Sequence, residues 1–227
     1  MEKQLYKIIK HNMQNTNKFL ILIALLFWLL NACNFSTQNQ LPILGNRVAE
    51  EKIIDGKLVV DTIYQTIPSF SLLNQDSIVV NNETLKGKIY VADFFFTSCP
   101  TICPVMKKEM IRVYEEFKGN NQVVILSHTI DPEYDTLALL RDYASRLGSD
   151  GKQWMFLRGE RKQVYELAEK GYYASAMADS TEPGGFIHSG GFILVDKHQR
   201  VRGIYDGTST NDVDKLMSDM ELLLKEK

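Results

Sequence analysis

No apolar stretch of the 227-residue sequence is long enough to span a bilayer. The longest, Phe19–Leu30 (FLILIALLFWLL), has twelve residues, where a transmembrane helix needs about 20. Basic residues are not in excess either: 26 Lys and Arg stand against 28 Asp and Glu. That balance lacks the positive footprint of a nucleic-acid-binding protein. Cysteine is scarce, with three in the chain, at positions 33, 99 and 103. There is no internal repeat, and no low-complexity block beyond one short polar stretch. What is present, 44% hydrophobic and 24% charged, is the make-up of an ordinary globular chain. Its length suits one domain with a proper core.

The first 32 residues read as an export signal rather than as part of that domain. Lys3, Lys7, Lys10 and Lys18 form a basic leader before the apolar segment, the order of a secretory signal peptide. The segment closes on Leu30-Asn31-Ala32-Cys33, which resembles a bacterial lipobox. That resemblance implies cleavage before Cys33, its diacylation, and a lipid-anchored place on the extracytoplasmic face of a bacterial envelope membrane. The expected organisation is a signal peptide over 1–32, a tether over 33–45 and one domain over 46–227. Asn34 to Gln40 of the tether is polar and uncharged, as a flexible linker should be. Beyond residue 32 the chain carries 22 basic and 27 acidic residues, so no nucleic acid is expected as partner. Cys99 and Cys103 are then the remaining thiols, in an oxidising compartment.

Those two thiols lie in the stretch Val91–Met110 (VADFFFTSCPTICPVMKKEM). Val91, Ala92 and Phe94 to Phe96 predict a buried strand broken only by Asp93, and Cys99-Pro100 ends it. Met106, Met110, Val113 and Phe117 recur at three- and four-residue steps, which predicts a helix. Pro104 would clash inside a helix but is free of cost at its first position, so the spacing predicts Pro104 at N1 and Cys103 near the N-cap. A thiolate there is favoured by the helix dipole, which lowers its pKa. C-x-x-x-C spacing can bring two Cα atoms within the roughly 4.4–6.8 Å that a disulfide needs. It can equally set two thiolates around one soft metal ion.

Around this centre the pattern alternates strands and helices. An exposed hairpin is predicted over Ile53–Tyr64 about Asp55-Gly56, and two short strands within Pro68–Val80. Val123–Leu126 reads as a buried strand, 137–147 as a helix capped by Asp135 or Thr136, and Trp154–Leu157 as a strand. Arg161–Lys170 reads as a helix stopped by Gly171. A hairpin, Phe192–Val195 with Val201–Tyr205, leads to a last helix capped by Asn211. The fold class is therefore α/β, with a central mixed sheet and helices on both faces.

Three histidines compete for a role beside the thiols. His188 lies among four glycines, Gly184-Gly185-Phe186-Ile187-His188-Ser189-Gly190-Gly191, directly before a strand. His128 ends its own strand, and His198 sits in a hairpin turn at the opposite end of the sheet. Two thiolates and an imidazole are suitable donors for copper, whereas a structural zinc would need a fourth ligand that no further cysteine supplies.

Phe94–Pro104 (FFFTSCPTICP), Thr129–Thr136 (TIDPEYDT), Trp154–Glu160 (WMFLRGE) and His188–Asp196 (HSGGFILVD) together resemble the successive motifs of the Sco (SenC) family. The matches run over about residues 66–224. The resemblance implies a thioredoxin-like fold and a membrane-anchored protein that binds copper, Cu(I) or Cu(II), through Cys99, Cys103 and His188. It further implies delivery of copper to the copper-bearing subunit of cytochrome c oxidase, or reduction of that subunit's cysteines through a Cys99–Cys103 disulfide couple. Asp131 and Asp135 match family positions and are expected to order loops or face a partner. Two positions depart from the pattern: Ile187 stands where the family usually has Asp before its histidine, and Tyr134 where an arginine is frequent.

Of two further activities on this fold, one fits the same residues and one does not. An exported thiol-disulfide oxidoreductase would use Cys99 and Cys103 as its redox pair, with His188 incidental. A peroxide-reducing thiol enzyme would need a P-x-x-x-T-x-x-C pattern, which is missing, since Thr97 precedes Cys99 by two residues. A metallochaperone, rather than an enzyme, is the reading the residues favour.

Overall fold

The computed structural model describes residues 40–179, 181, 185–188 and 190–226, with the backbone alone at 187 and 188. The signal segment, Cys33 and the tether as far as residue 39 lie outside the described residues. In chain order the elements are β1 (Arg47–Ile54), β2 (Lys57–Tyr64), β3 (Ser71–Asn74), β4 (Val79–Asn81), β5 (Ile89–Phe95), α1 (Cys103–Glu116) and β6 (Val123–Thr129). There follow α2 (Leu137–Arg146), β7 (Trp154–Arg158), α3 (Arg161–Tyr172), β8 (Ala176–Ala178), β9 (Phe186–His188), β10 (Gly191–Val195), β11 (Val201–Asp206) and α4 (Thr210–Lys225).

Seven strands form one mixed sheet in the order β11-β10-β5-β6-β7-β3-β4. β5, β6 and β7 are parallel, and every other pairing is antiparallel. The crossovers β5-α1-β6 and β6-α2-β7 are what parallel pairing demands. β5 and β6 are buried along their whole length, so both sheet faces are covered there. This is why their sequences run nearly continuously apolar instead of alternating. Phe94, Phe96, Phe156, Phe192 and Trp154 are among the largest fully buried side chains of the single core.

The ends of the elements show where local signals hold and where tertiary contacts override them. Thr136 caps α2 by accepting from Leu139 N at 3.3 Å, as read from the sequence, and Gly148 follows the helix at φ +75°. α3 does not stop at Gly171. It continues to Tyr172 and ends on Tyr173, which takes the left-handed conformation at φ +55°. Gly171 is inside the helix for a packing reason: a Cβ there would come within 2.9 Å of Pro68. α4 is capped by Ser209, accepting from Asp212 N at 3.3 Å, two residues before the expected cap Asn211, which lies inside the helix.

The β8-β9 pair and the residues before β3 lie outside the main sheet. β1 and β2 pair antiparallel through an Asp55-Gly56 turn with both residues at positive φ, the backbone a two-residue hairpin prefers. The first strand starts six residues before the Ile53 start read from the sequence. The stretch just before it also differs from a free tether. Leu41 and Leu44 pack on the core, Leu44 N donates to Val201 O at 2.8 Å, and Arg202 Nε donates to Pro42 O at 3.0 Å. The docked part of the chain therefore begins at Leu41 rather than at residue 46.

Candidate metal centre

The dithiol sits where β5 hands over to α1. Leaving β5 at Phe95, the chain closes a tight turn with Cys99 N donating to Phe96 O at 3.2 Å. Cys103 is the first residue of α1, with Ile102 as N-cap and Pro104 behind it. The helix thus starts one residue earlier than the proline suggests, because a missing N–H is equally harmless anywhere among the four unpaired amides of a first turn. Both cysteines are thiols, not joined as a disulfide, and both are buried.

Their electrostatics reverse the expectation from the helix start. The hydrogen bond shared with Cys99, burial, and the charge of the neighbouring sulfur push the Cys103 thiol up from its ordinary value. The Asp93 carboxylate, on the strand beneath, adds to that rise. A helix N-terminus alone would lower the value, but two sulfurs in contact cannot both ionise in a buried place without a cation between them. In the metal-free site the Cys103 thiol therefore keeps its proton, and a soft cation that displaces it supplies the missing charge.

The turn is held from below by Asp135. This carboxylate is fully buried; it accepts from Thr97 N at 3.2 Å and from the hydroxyls of Thr97 and Thr129. Thr129 Oγ1 in turn accepts from Asp131 N at 3.1 Å. Asp135 therefore ties the segment before Cys99 to the end of β6, as a loop-ordering residue. Asp131 faces Arg161, 3.3 Å from Nη2, and Tyr134 is exposed.

Of the three histidines, the structure brings the strand of His188 to the dithiol. Phe186, at the start of β9, packs its ring 5.0 Å from that of Phe96, three residues before Cys99. Gly190, two residues after His188, lies where a Cβ would be 3.6 Å from Ile102, the residue before Cys103. The backbone of His188 is thus bracketed by contacts to both ends of the dithiol turn. β9 itself pairs with β8, Ala176 opposite His188. Among the described residues no set of three or more His, Cys, Asp and Glu side chains gathers as a metal cluster.

His128 is a core residue. β6 runs on to Thr129, past the Leu126 end read from the sequence, and takes His128 into the interior. Its Nδ1 lies 3.2 Å from Asp93 O, and its ring stacks on Phe94 at 5.0 Å. Burial pushes its pKa down to about 4, against the pull of hydrogen bonds to the carbonyls of Asp93 and Leu126. His198 is exposed in the β10–β11 turn.

The sequence reading passed over three residues at this centre. Asp93, a carboxylate inside an otherwise apolar strand, accepts from Ser127 Oγ at 2.5 Å, which is fixed by Trp154 Nε1 at 3.0 Å. Its placement in a buried strand was the available signal. Lys107, four residues after Cys103 on one helix face, carried a similar one. Phe186 had none, since its contact to Phe96 is long-range.

Comparison with known proteins agrees with this geometry. The model of the SCO1/SenC family matches residues 61–225. The SCO1 protein homolog of Bacillus subtilis is 32% identical over 168 residues, covering 73% of this chain and 86% of its own. A relative from Stutzerimonas stutzeri, whose name proposes copper binding, is 32% identical over 144 residues, 61% of this chain and 68% of its own. Among solved structures, that of BsSco, a Sco-family cytochrome c oxidase assembly protein in which a disulfide switch was identified, is 32% identical. It superposes with a TM-score of 0.63 over 71% of this chain and 95% of its own. The α/β fold around the dithiol is thioredoxin-like, and the chain belongs to the SCO1/SenC family.

Proposed function

We propose that this protein is a metallochaperone that carries copper as cargo to the copper-bearing subunit of cytochrome c oxidase. Cys99 and Cys103 would grip the ion, with the His188 imidazole as third donor, and Cys33 would anchor the chain to the outer face of a membrane by lipid. One observation carries the reading: two buried thiols in hydrogen-bonding contact, with the backbone of His188 folded against both ends of their turn. Thiolate and imidazole are the donors Cu(I) and Cu(II) accept. The names of the Stutzerimonas relative and of BsSco point to copper binding and to oxidase assembly in the same family.

The test is copper stoichiometry and affinity on the reduced protein, wild type beside His188→Ala. One tightly held copper per chain, lost or much weakened in the variant, is the expected result. Retention indifferent to His188 refutes the three-donor site. A thiol-disulfide oxidoreductase is the second reading, favoured by the contact between the sulfurs and by the disulfide switch of BsSco. That activity should survive His188→Ala and vanish in Cys99→Ser and Cys103→Ser.

A further inference from the structure

Lys107 lies one helical turn beyond Cys103 on α1, at the spacing that puts two side chains on one face, with Cβ atoms about 5–6 Å apart. It lines a small cavity behind the dithiol together with Cys103, Asp93 and Tyr143. Its ammonium stands 4.5 Å from the centroid of the Tyr143 ring, which fixes its position over that cavity. It is half-buried, both sulfurs act on it electrostatically, and it forms no salt bridge with any carboxylate among the described residues. The other charges facing this place are Asp93 from β5 and, beyond the same Tyr143 ring, Arg146 from α2.

We propose that Lys107 is the fixed counter-charge of the metal-loaded dithiolate and makes the site prefer a monovalent soft ion, Cu(I), over divalent ions. This rests on the copper reading above. The charge count gives the reason. When Cu(I) replaces the two thiol protons, both protons leave and the site, with a neutral imidazole as third donor, is left with one negative charge. A divalent ion loaded in the same way leaves it neutral. A cation held beside the sulfurs stabilises the first product and is indifferent to the second. Asp93, which lines the same cavity, acts in the opposite sense, so Lys107 is the charge that offsets it beside the anionic product. With solvent screening of a half-exposed ammonium, the preference should amount to about tenfold.

The test uses the reduced full chain in detergent, as wild type, Lys107→Met and Lys107→Arg. Cu(I) affinity is read by competition with bathocuproine disulfonate. Cd(II), a redox-inert divalent ion, is read by competition with a chromophoric chelator. Lys107→Met should weaken Cu(I) by about tenfold and leave Cd(II) within about twofold, and Lys107→Arg should restore Cu(I). Equal weakening of both ions would show that Lys107 only supports the packing, and overturns the proposal. So does an unchanged Cu(I) affinity in Lys107→Met. A wild type that takes Cd(II) on its thiols but no Cu(I) would sink the copper reading and this proposal together, whereas equal loss in the variant sinks this proposal alone.

Discussion

Acid should destabilise this domain through His128, by an amount that can be worked out. The imidazole is wholly buried, and its pKa is pushed from 6.5 down to about 4, so the folded protein keeps it neutral throughout mildly acidic solution. The unfolded chain takes up the proton first, near pH 6.5. Stability contributed by the neutral ring is therefore complete above pH 6.5, falls as pH drops, and levels off below about pH 4. Each unit of that window is worth about 1.4 kcal/mol, roughly 3 kcal/mol across it. The assay is urea unfolding of the metal-free, reduced protein near pH 7.5 and near pH 4.5, for wild type and His128→Phe. Phe can keep the stacking on Phe94 but has nothing to titrate. Whatever its starting stability, the variant should lose about 2.5 kcal/mol less than wild type between the two conditions. Equal losses in the two proteins would refute the assignment of a buried, neutral His128.

Three other substitutions test the frame of the site. Asp135→Asn replaces an acceptor of three hydrogen bonds with a group that also donates; it should cost about 2–4 kcal/mol in chemical unfolding and weaken copper affinity by loosening the turn before Cys99. Arg202→Met removes a guanidinium that is 2% exposed and paired with Asp196 and Glu226 at 3.0 and 2.9 Å. It should cost about 3–5 kcal/mol and raise hydrogen exchange at Leu44, whose neighbours Leu41 and Pro42 it holds. Phe186→Ala removes the ring packed on Phe96; copper affinity should fall while the global unfolding midpoint moves little, as measured by competition titration and thermal melting.

The strand-turn-helix unit around the dithiol was legible because its signals are local: an apolar run, a proline and a three-to-four periodicity. Proline fixed the helix start only to within one residue, since its lost N–H matters at no position of the first turn. The pKa of Cys103 was not legible in direction. The helix start could be read from the chain, but the contact with Cys99 and the carboxylate of Asp93 beneath arise from the turn's closure and the strand's pleat. His128 was misleading for a related reason. Ser127-His128-Thr129 looks like a polar strand end, yet β6 lies between two parallel neighbours and hides all three residues, with Ser127 Oγ, Thr129 Oγ1 and His128 Nδ1 finding partners below the surface. Gly171 shows the same override: it reads as a stop, and is instead the space into which Pro68 fits. His188 was singled out by its glycine surroundings, and Gly190 proves to lie against Ile102.

The Asp135 clasp means that the C-x-x-x-C segment is not a portable cassette. Thr97 belongs to the dithiol turn and Thr129 to the end of the adjacent strand, and one carboxylate from the Asp131–Thr136 segment serves both. Grafting residues 94–104 alone onto another sheet would carry the sulfurs without the fastening that sets their spacing. The smallest transferable unit is the pair of loops at the ends of β5 and β6, moved together with Asp135, and sequence drift in one of these loops is constrained by the other.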